Sequence, residues 1–227
     1  MTRRRGGNQV IPRPSQWREG DAPSWFQHDR SMLRDMQHVL SRLSAHAVNR
    51  NEDSVEMSQE WVATARVSAV LVALVDHPDG PSVILTRRTD HLRNHPGQIS
   101  FPGGRVEESE SVHEAAVREA HEEVGLDPES VHIIGELDPL TTFVSNSLII
   151  PVVARVEGVP SFSIQEEEVA RVFMSPLHDL AREDTYRNEW WSRPQGDINI
   201  HFFELDDETV WGATGRILHQ LIDVVAV

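Results

Sequence analysis

The chain has 227 residues, 39% of them hydrophobic and 25% charged, which suits one globular domain with a sizeable core and a short extension. Its net charge of −15 argues against nucleic acid or an anionic membrane as a general partner, while small metal-bound anions remain compatible with it. With no cysteine, disulfides and thiolate metal sites are excluded, and a reducing cytoplasm is the expected compartment.

No apolar run reaches membrane-spanning length, and the opening MTRRRGGNQVIPRP lacks the hydrophobic stretch of a secretory signal. Residues 1 to about 30, rich in Arg, Gly and Pro, read as an irregular arm anchored by Trp17, Trp25 and Phe26. From Ser31 to Leu43 the apolar residues Met32, Leu33, Met36, Val39, Leu40 and Leu43 recur at helical spacing. Core packing is the expected use of that helix; a homodimer interface is the alternative. The polar stretch NRNEDSVEMSQEW then reads as a linker, so residues 1–60 form an N-terminal extension and residues 61–227 the main domain.

Ala65 to Val75 is a β-branched run fit for a buried strand. A turn over Asp76 to Gly80 leads to a second strand, Ser82 to Thr86. The basic segment RRTDHLRNHPGQISFPGG follows, so a hairpin delivers the chain to the stretch GRVEESESVHEAAVREAHEEVGL, residues 104–126. There Ser111 and Glu114 form a capping box, which starts a helix at Val112. Gly125 can take the left-handed conformation and Pro128 blocks continuation, so about thirteen residues are helical. Glu119, Glu122 and Glu123, spaced i, i+3, i+4, share one face at the negative end of the helix dipole. A hard divalent cation, Mg²⁺ or its substitute Mn²⁺, would relieve their repulsion; on spacing alone a solvated acidic face is an equal reading.

Beyond the helix, SVHIIGELDPL and Leu148 to Val156 read as strands, with Pro151 favouring an edge or a bulge, and TTFVSNS between them as a pocket-lining loop. In QEEEVARVF any of Glu166, Glu167 and Glu168 could lie near a cation or in a solvated turn. Met174 to Asp184 suggests a short helix with Pro176 in its first turn, and Ile198 to Leu205 alternates as a strand. Trp190 and Trp191 either cap a pocket or pack. Ile217, Leu218, Leu221, Ile222 and Val225 line one face of a closing helix over Trp211 to Val225.

Gly104, Glu110, Arg118, Glu119, Glu122, Glu123, Gly125 and Leu126 match the pattern GX5EX7REUXEEXGU, where U is a bulky apolar residue, and so the chain resembles the Nudix hydrolases. Ala120 departs mildly, standing where a larger aliphatic is usual. The resemblance implies an α/β fold, a Nudix-type α/β/α sandwich with a mixed sheet. It implies Glu122 and Glu123 as metal ligands, Glu119 as ligand or base, the Gly104 carbonyl as a further ligand, and Glu110 with Arg118 as an orienting pair. Glu168 resembles the position of a further glutamate near the metal. A contact between Glu110 and Arg118 requires the preceding loop to fold back, because two helical turns span roughly 12 Å.

A narrower resemblance lies upstream. Leu85, Thr86, Arg88, Arg93, Gly97, Phe101, Pro102, Gly103 and Gly104 match LLTxR(S/A)x3Rx3Gx3FPGG, an element of the coenzyme A pyrophosphatase branch, with Ile84 for the first Leu and Thr89 for the Ser or Ala. It implies a small-molecule substrate, coenzyme A or an acyl derivative, cleaved at its pyrophosphate. Arg88 and Arg93 are the implied substrate contacts, with Arg87, His95 and Arg105 as secondary candidates. Other readings are hydrolysis of another nucleoside diphosphate derivative such as ADP-ribose or NADH, and a ligand-sensing domain without chemistry.

Overall fold

The computed structural model describes residues 6–52, 66–142 and 147–227. The expected boundary at residues 60 and 61, much of the polar linker and most of the TTFVSNS segment lie outside these residues.

Two antiparallel β-branched runs start the main sheet: β2 (Arg66–His77) and β3 (Gly80–Arg88). Two short strands, β4 (Ile99–Ser100) and β5 (Gly103–Arg105), then pair with β3 and β2 respectively. Helix α2 (Val112–Val124) leads to β6 (Val131–Glu136), β7 (Leu140–Thr142) and β8 (Ser147–Val156). Strand β8 runs parallel to β2, and the other pairings of this eight-stranded sheet are antiparallel, so the sheet is mixed.

Alternation along β2 divides the core into two layers. Ala69, Leu71, Ala73 and Val75 face α2, packing on Ala115, Ala116, Ala120 and Val124. Val72 and Leu74 face the opposite layer. That layer holds α1 (Met36–Glu52) and α4 (Gly212–Ala226), where Ile217, Leu218, Leu221, Ile222 and Val225 are buried as their spacing predicts. Each such side chain contributes about 2 kcal/mol on burial. The α/β/α layering with a mixed sheet is therefore observed.

A smaller sheet of β1 (Trp17–Glu19), β10 (Tyr186–Trp191), β11 (Ile198–Glu204) and β12 (Thr209–Val210) completes the molecule. It draws in the N-terminal segment, which is less irregular than expected. Trp17 pairs in register with Trp191 yet is 41% exposed, whereas Trp25 is fully buried and meets Tyr186 edge-on at 4.8 Å.

Three expectations need correction. Residues Ser31–Arg34 form a 3-10 turn, and α1 starts only at Met36, because the Asp35 carboxylate accepts hydrogen bonds from the backbone N–H groups of Gln37 (2.9 Å) and His38 (3.4 Å). Met174 and Ser175 belong to a strand, β9 (Val169–Pro176), that pairs with β3, and only Leu177–Leu180, α3, is helical. Pro151 lies inside β8 with strands on both sides. Of the two settings expected for it, the edge is not found but the irregularity is: the ladders of β6 and β7 with β8 are interrupted opposite it, between Val152 and Ile149, where the Leu137 N–H donates to the Pro151 carbonyl at 3.0 Å. Trp190 and Trp191 lie in β10, which the sequence reading did not identify as a strand.

Candidate active site

The ends of α2 form as their residues dictate. Ser111 Oγ accepts from the Glu114 N–H at 3.2 Å, and Glu114 Oε2 accepts from the Ser111 N–H at 2.8 Å. Gly125 stops the helix at φ 70° and ψ 23°, its N–H donating to the His121 carbonyl at 2.9 Å. The helix thus spans Val112–Val124, as the capping signals predict.

On its exposed shoulder, Arg118 gathers three carboxylates. Its Nε and Nη2 donate to the two oxygens of Glu110 at 3.0 and 2.7 Å, and its Nη1 donates to Glu119 (3.0 Å) and Glu122 (3.1 Å). A further bond from Nη2 to the Arg105 carbonyl, 3.1 Å, ties the group to β5. The loop before α2 does fold back: the Glu107 N–H donates to Glu110 Oε1 at 2.7 Å. This bidentate pairing pulls the Glu110 carboxyl down to about 2 and raises the Arg118 guanidinium further.

Strand β5 positions the other carboxylates. Gly103 and Gly104 stand opposite Val70 and Ala69 of β2, and a Cβ on Gly103 would lie 2.4 Å from the Ala69 carbonyl oxygen. At Gly104 a Cβ would lie 2.4 Å from the Glu119 carboxylate, so glycine lets that carboxylate rest against the backbone. Glu123, 5% exposed, accepts from the Gly103 N–H at 3.3 Å. Burial pushes its carboxyl up to about 7 against that hydrogen bond, with the charges of Glu119 and Glu168 adding to the rise. Burial likewise raises Glu119, and its neighbours Glu122 and Glu168 add to the effect against Arg118.

Glu168 differs from its two rivals. Glu166 and Glu167 are exposed, whereas Glu168 is half-buried and its charge acts on both Glu119 and Glu123. Backbone bonds from Gln165 N–H to the Glu123 carbonyl (2.9 Å) and from Thr89 N–H to the Glu168 carbonyl (2.9 Å) hold this turn between α2 and the basic segment.

Glu119, Glu122, Glu123, Glu168 and the Gly104 carbonyl supply oxygen donors only, and Glu119 and Glu123 are raised chiefly by burial, with the charges of neighbouring glutamates adding to the rise. That donor set fits a hard divalent cation. Among the described residues no three His, Asp or Glu side chains close into a ready-made metal cage. Mg²⁺ does not require one, since it takes one or two carboxylates and fills its remaining positions with water and substrate oxygens.

Beside Gly103 and Gly104 lies a cavity of about 520 Å³, within the usual range for small-molecule sites. Arg88, His95 and Gln98 of the basic segment line it, and His95 adopts a left-handed φ of 56°. The other candidates are not among the lining residues. Arg87 is engaged with Asp90 at 3.2 Å and Glu208 at 3.8 Å, Arg93 is exposed and outside the lining, and Arg105 serves Arg118 through its carbonyl. Trp190 and Trp191 do not line the cavity; Trp191 is buried, its Nε1 donating to Glu189 at 2.7 Å. Trp211 and Arg193 do line it, and the sequence reading missed both as site residues. Arg193 carries no motif, and its place in the lining arises from the packing of two sheets.

A NUDIX domain family model matches residues 65–209. The protein named Uncharacterized Nudix hydrolase NudL from Yersinia enterocolitica is 37% identical over 166 residues, covering 72% of this chain and 83% of that protein. A protein of the same name from Pectobacterium atrosepticum is 39% identical over 157 residues, covering 69% and 81%. Among solved structures, a MutT/nudix family protein from Enterococcus faecalis aligns with a TM-score of 0.48 and 16% identity, covering 77% of this chain and 71% of that one. This chain belongs to the Nudix family. It is a hydrolase acting on pyrophosphate bonds.

Proposed function

We propose that the protein hydrolyses the pyrophosphate of coenzyme A or acyl-coenzyme A, using Mg²⁺ or Mn²⁺, to give 3′-phosphoadenosine 5′-phosphate and phosphopantetheine or its acyl form. The observation that carries the substrate reading is Arg88, a cation of the basic segment, lining the cavity that adjoins the glutamates. Glu122, Glu123, Glu168 and the Gly104 carbonyl would hold the ion, with Glu119 as ligand or base. When bound, the ion neutralises phosphoryl oxygens and makes water a stronger acid.

Glu119 is held from one side by Arg118 and lies against Gly104 on the other, so its carboxylate is fixed in orientation. Its raised proton affinity suits a base that removes a proton from water. Oxygen of that water bonds to one phosphorus, the bridging P–O bond breaks, and the leaving group departs as a phosphate. Glu110 keeps Arg118 in place, and Arg88 offers its guanidinium to the pyrophosphate.

The test is the wild type and Arg88→Ala, each assayed on coenzyme A and on ADP-ribose. The wild type should turn over coenzyme A with a kcat/KM about tenfold or more above that for ADP-ribose, and Arg88→Ala, which loses a contact to the shared pyrophosphate, should lower both by about tenfold. A wild-type kcat/KM for ADP-ribose equal to or above that for coenzyme A would contradict the coenzyme A reading and favour a general nucleoside diphosphate hydrolase, and unchanged values in Arg88→Ala would contradict the Arg88 contact.

A further inference from the structure

The cavity is far more basic than the chain that encloses it. The chain carries 36 acidic and 21 basic residues, yet Arg88, Arg193 and His95 line the cavity and no Asp or Glu is among its described lining residues. Two of its donors, the Arg88 Nε–H and the Trp211 Nε1–H, are buried with no acceptor among the described residues. Buried donors are ordinarily satisfied, and these two belong to residues of the cavity wall.

The two arginines come from different parts of the fold. Arg88 ends β3, and its charge acts on Glu123, which puts it on the glutamate side of the cavity. Arg193 lies on the connection from β10 to β11, in the smaller sheet, and is exposed. No ion pair to a carboxylate occupies its guanidinium among the described residues, whereas Arg13, Arg171, Arg182 and Arg187 are each paired. Val70, Ile99, Phe101, Ile149 and Ile217 provide apolar wall.

We propose that Arg193 is a specificity residue that binds a phosphate monoester of the substrate, separate from the pyrophosphate held near Arg88. The inference rests on the coenzyme A reading and deepens it, because coenzyme A carries such a group at its 3′ position while ADP-ribose and NADH carry none. A guanidinium presents a planar fork of donors that matches phosphate oxygens, and at the surface of an acidic protein it supplies the local charge that a dianion needs. On this account the smaller sheet, which contributes none of the glutamates, selects the substrate.

The experiment has two arms. Steady-state kinetics with coenzyme A and 3′-dephospho-coenzyme A are compared for the wild type, Arg193→Ala and Arg193→Lys. In parallel, calorimetry measures binding of 3′-phosphoadenosine 5′-phosphate and of AMP to the same proteins. Arg193→Ala should lower kcat/KM for coenzyme A about tenfold more than for the dephospho form, chiefly through KM, and Arg193→Lys should recover part of the difference. The wild type should bind 3′-phosphoadenosine 5′-phosphate about tenfold more tightly than AMP, and Arg193→Ala should bind the two alike. Equal losses on both substrates, with turnover of coenzyme A intact in the wild type, would overturn the Arg193 assignment alone. If the wild type turns over neither form but still discriminates the two nucleotides through Arg193, the phosphate site stands and the coenzyme A reading falls.

Discussion

Arg118 is the residue on which the acidic cluster depends, because one guanidinium holds Glu110, Glu119 and Glu122 together. Arg118→Ala should free all three, and kcat should fall by roughly 10- to 100-fold, as for residues that orient metal-site side chains. Arg118→Lys should recover little, since an ammonium cannot span Glu110 bidentately while also reaching Glu119. Steady-state kinetics at saturating Mg²⁺ decide this, and near-wild-type kcat in Arg118→Ala would contradict the role. Glu123 makes a separate prediction about pH. Its carboxyl is raised from 4.5 to about 7 in the folded protein, so between those values the folded state binds more protons than the unfolded one. Stability from this group is therefore fully present below pH 4.5 and is lost as pH rises through about 7. In chelator at pH 8 the ionised, buried Glu123 should cost up to about 3 kcal/mol. Urea unfolding should then show Glu123→Gln more stable than wild type at pH 8 and the two similar near pH 4.5; parallel curves at both pH values would contradict it. Glu110, held down by Arg118, acts in the opposite sense but equally in both proteins.

At the scale of elements, α2 connects sequence to site, and its boundaries are set by two residues. Ser111→Ala removes the acceptor of the Glu114 N–H and should cost about 1 kcal/mol. Gly125→Ala places a side chain at φ 70°, where its Cβ would also lie 2.9 Å from Ser163, and should cost at least about 1 kcal/mol. Both losses should appear in urea unfolding; unchanged midpoints would show that tertiary packing alone fixes the helix. The boundaries of α2 were legible because capping is local: Ser111, Glu114 and Gly125 carry it within fifteen residues. Strand β10 was illegible for the opposite reason. Glu189 is 3% exposed, but its charge is met by Arg13 and Arg187, residues whose partnership no local pattern reveals. Buried ion pairs of this kind disguise a strand as a polar loop. Helix α1 was placed too early because Asp35 acts as a cap within an otherwise continuous apolar repeat.

Across the whole molecule, charge is distributed against its average. A chain of net charge −15 would repel an anionic substrate, yet it collects Arg88, His95 and Arg193 around one cavity and its raised carboxyls next to it. The grouping of Glu110, Glu119, Glu122, Glu123 and Arg118 was legible because they fall within a single helix and its preceding loop, whereas only the folded chain separates Glu168 from Glu166 and Glu167. Arg88 was legible from the basic segment. Arg193 and Trp211 were not, because only the docking of the smaller sheet and α4 against the larger sheet brings them to the cavity. No described helix is long and apolar enough to cross a membrane. The most direct measurement is turnover of coenzyme A, acyl-coenzyme A, ADP-ribose and NADH by the purified protein with Mg²⁺ or Mn²⁺, with products identified by mass and Glu122→Gln as control. Formation of 3′-phosphoadenosine 5′-phosphate and phosphopantetheine, abolished by chelator and strongly reduced in Glu122→Gln, is the predicted result. Turnover confined to ADP-ribose or NADH, or coenzyme A cleavage that is independent of both metal and Glu122, would contradict it.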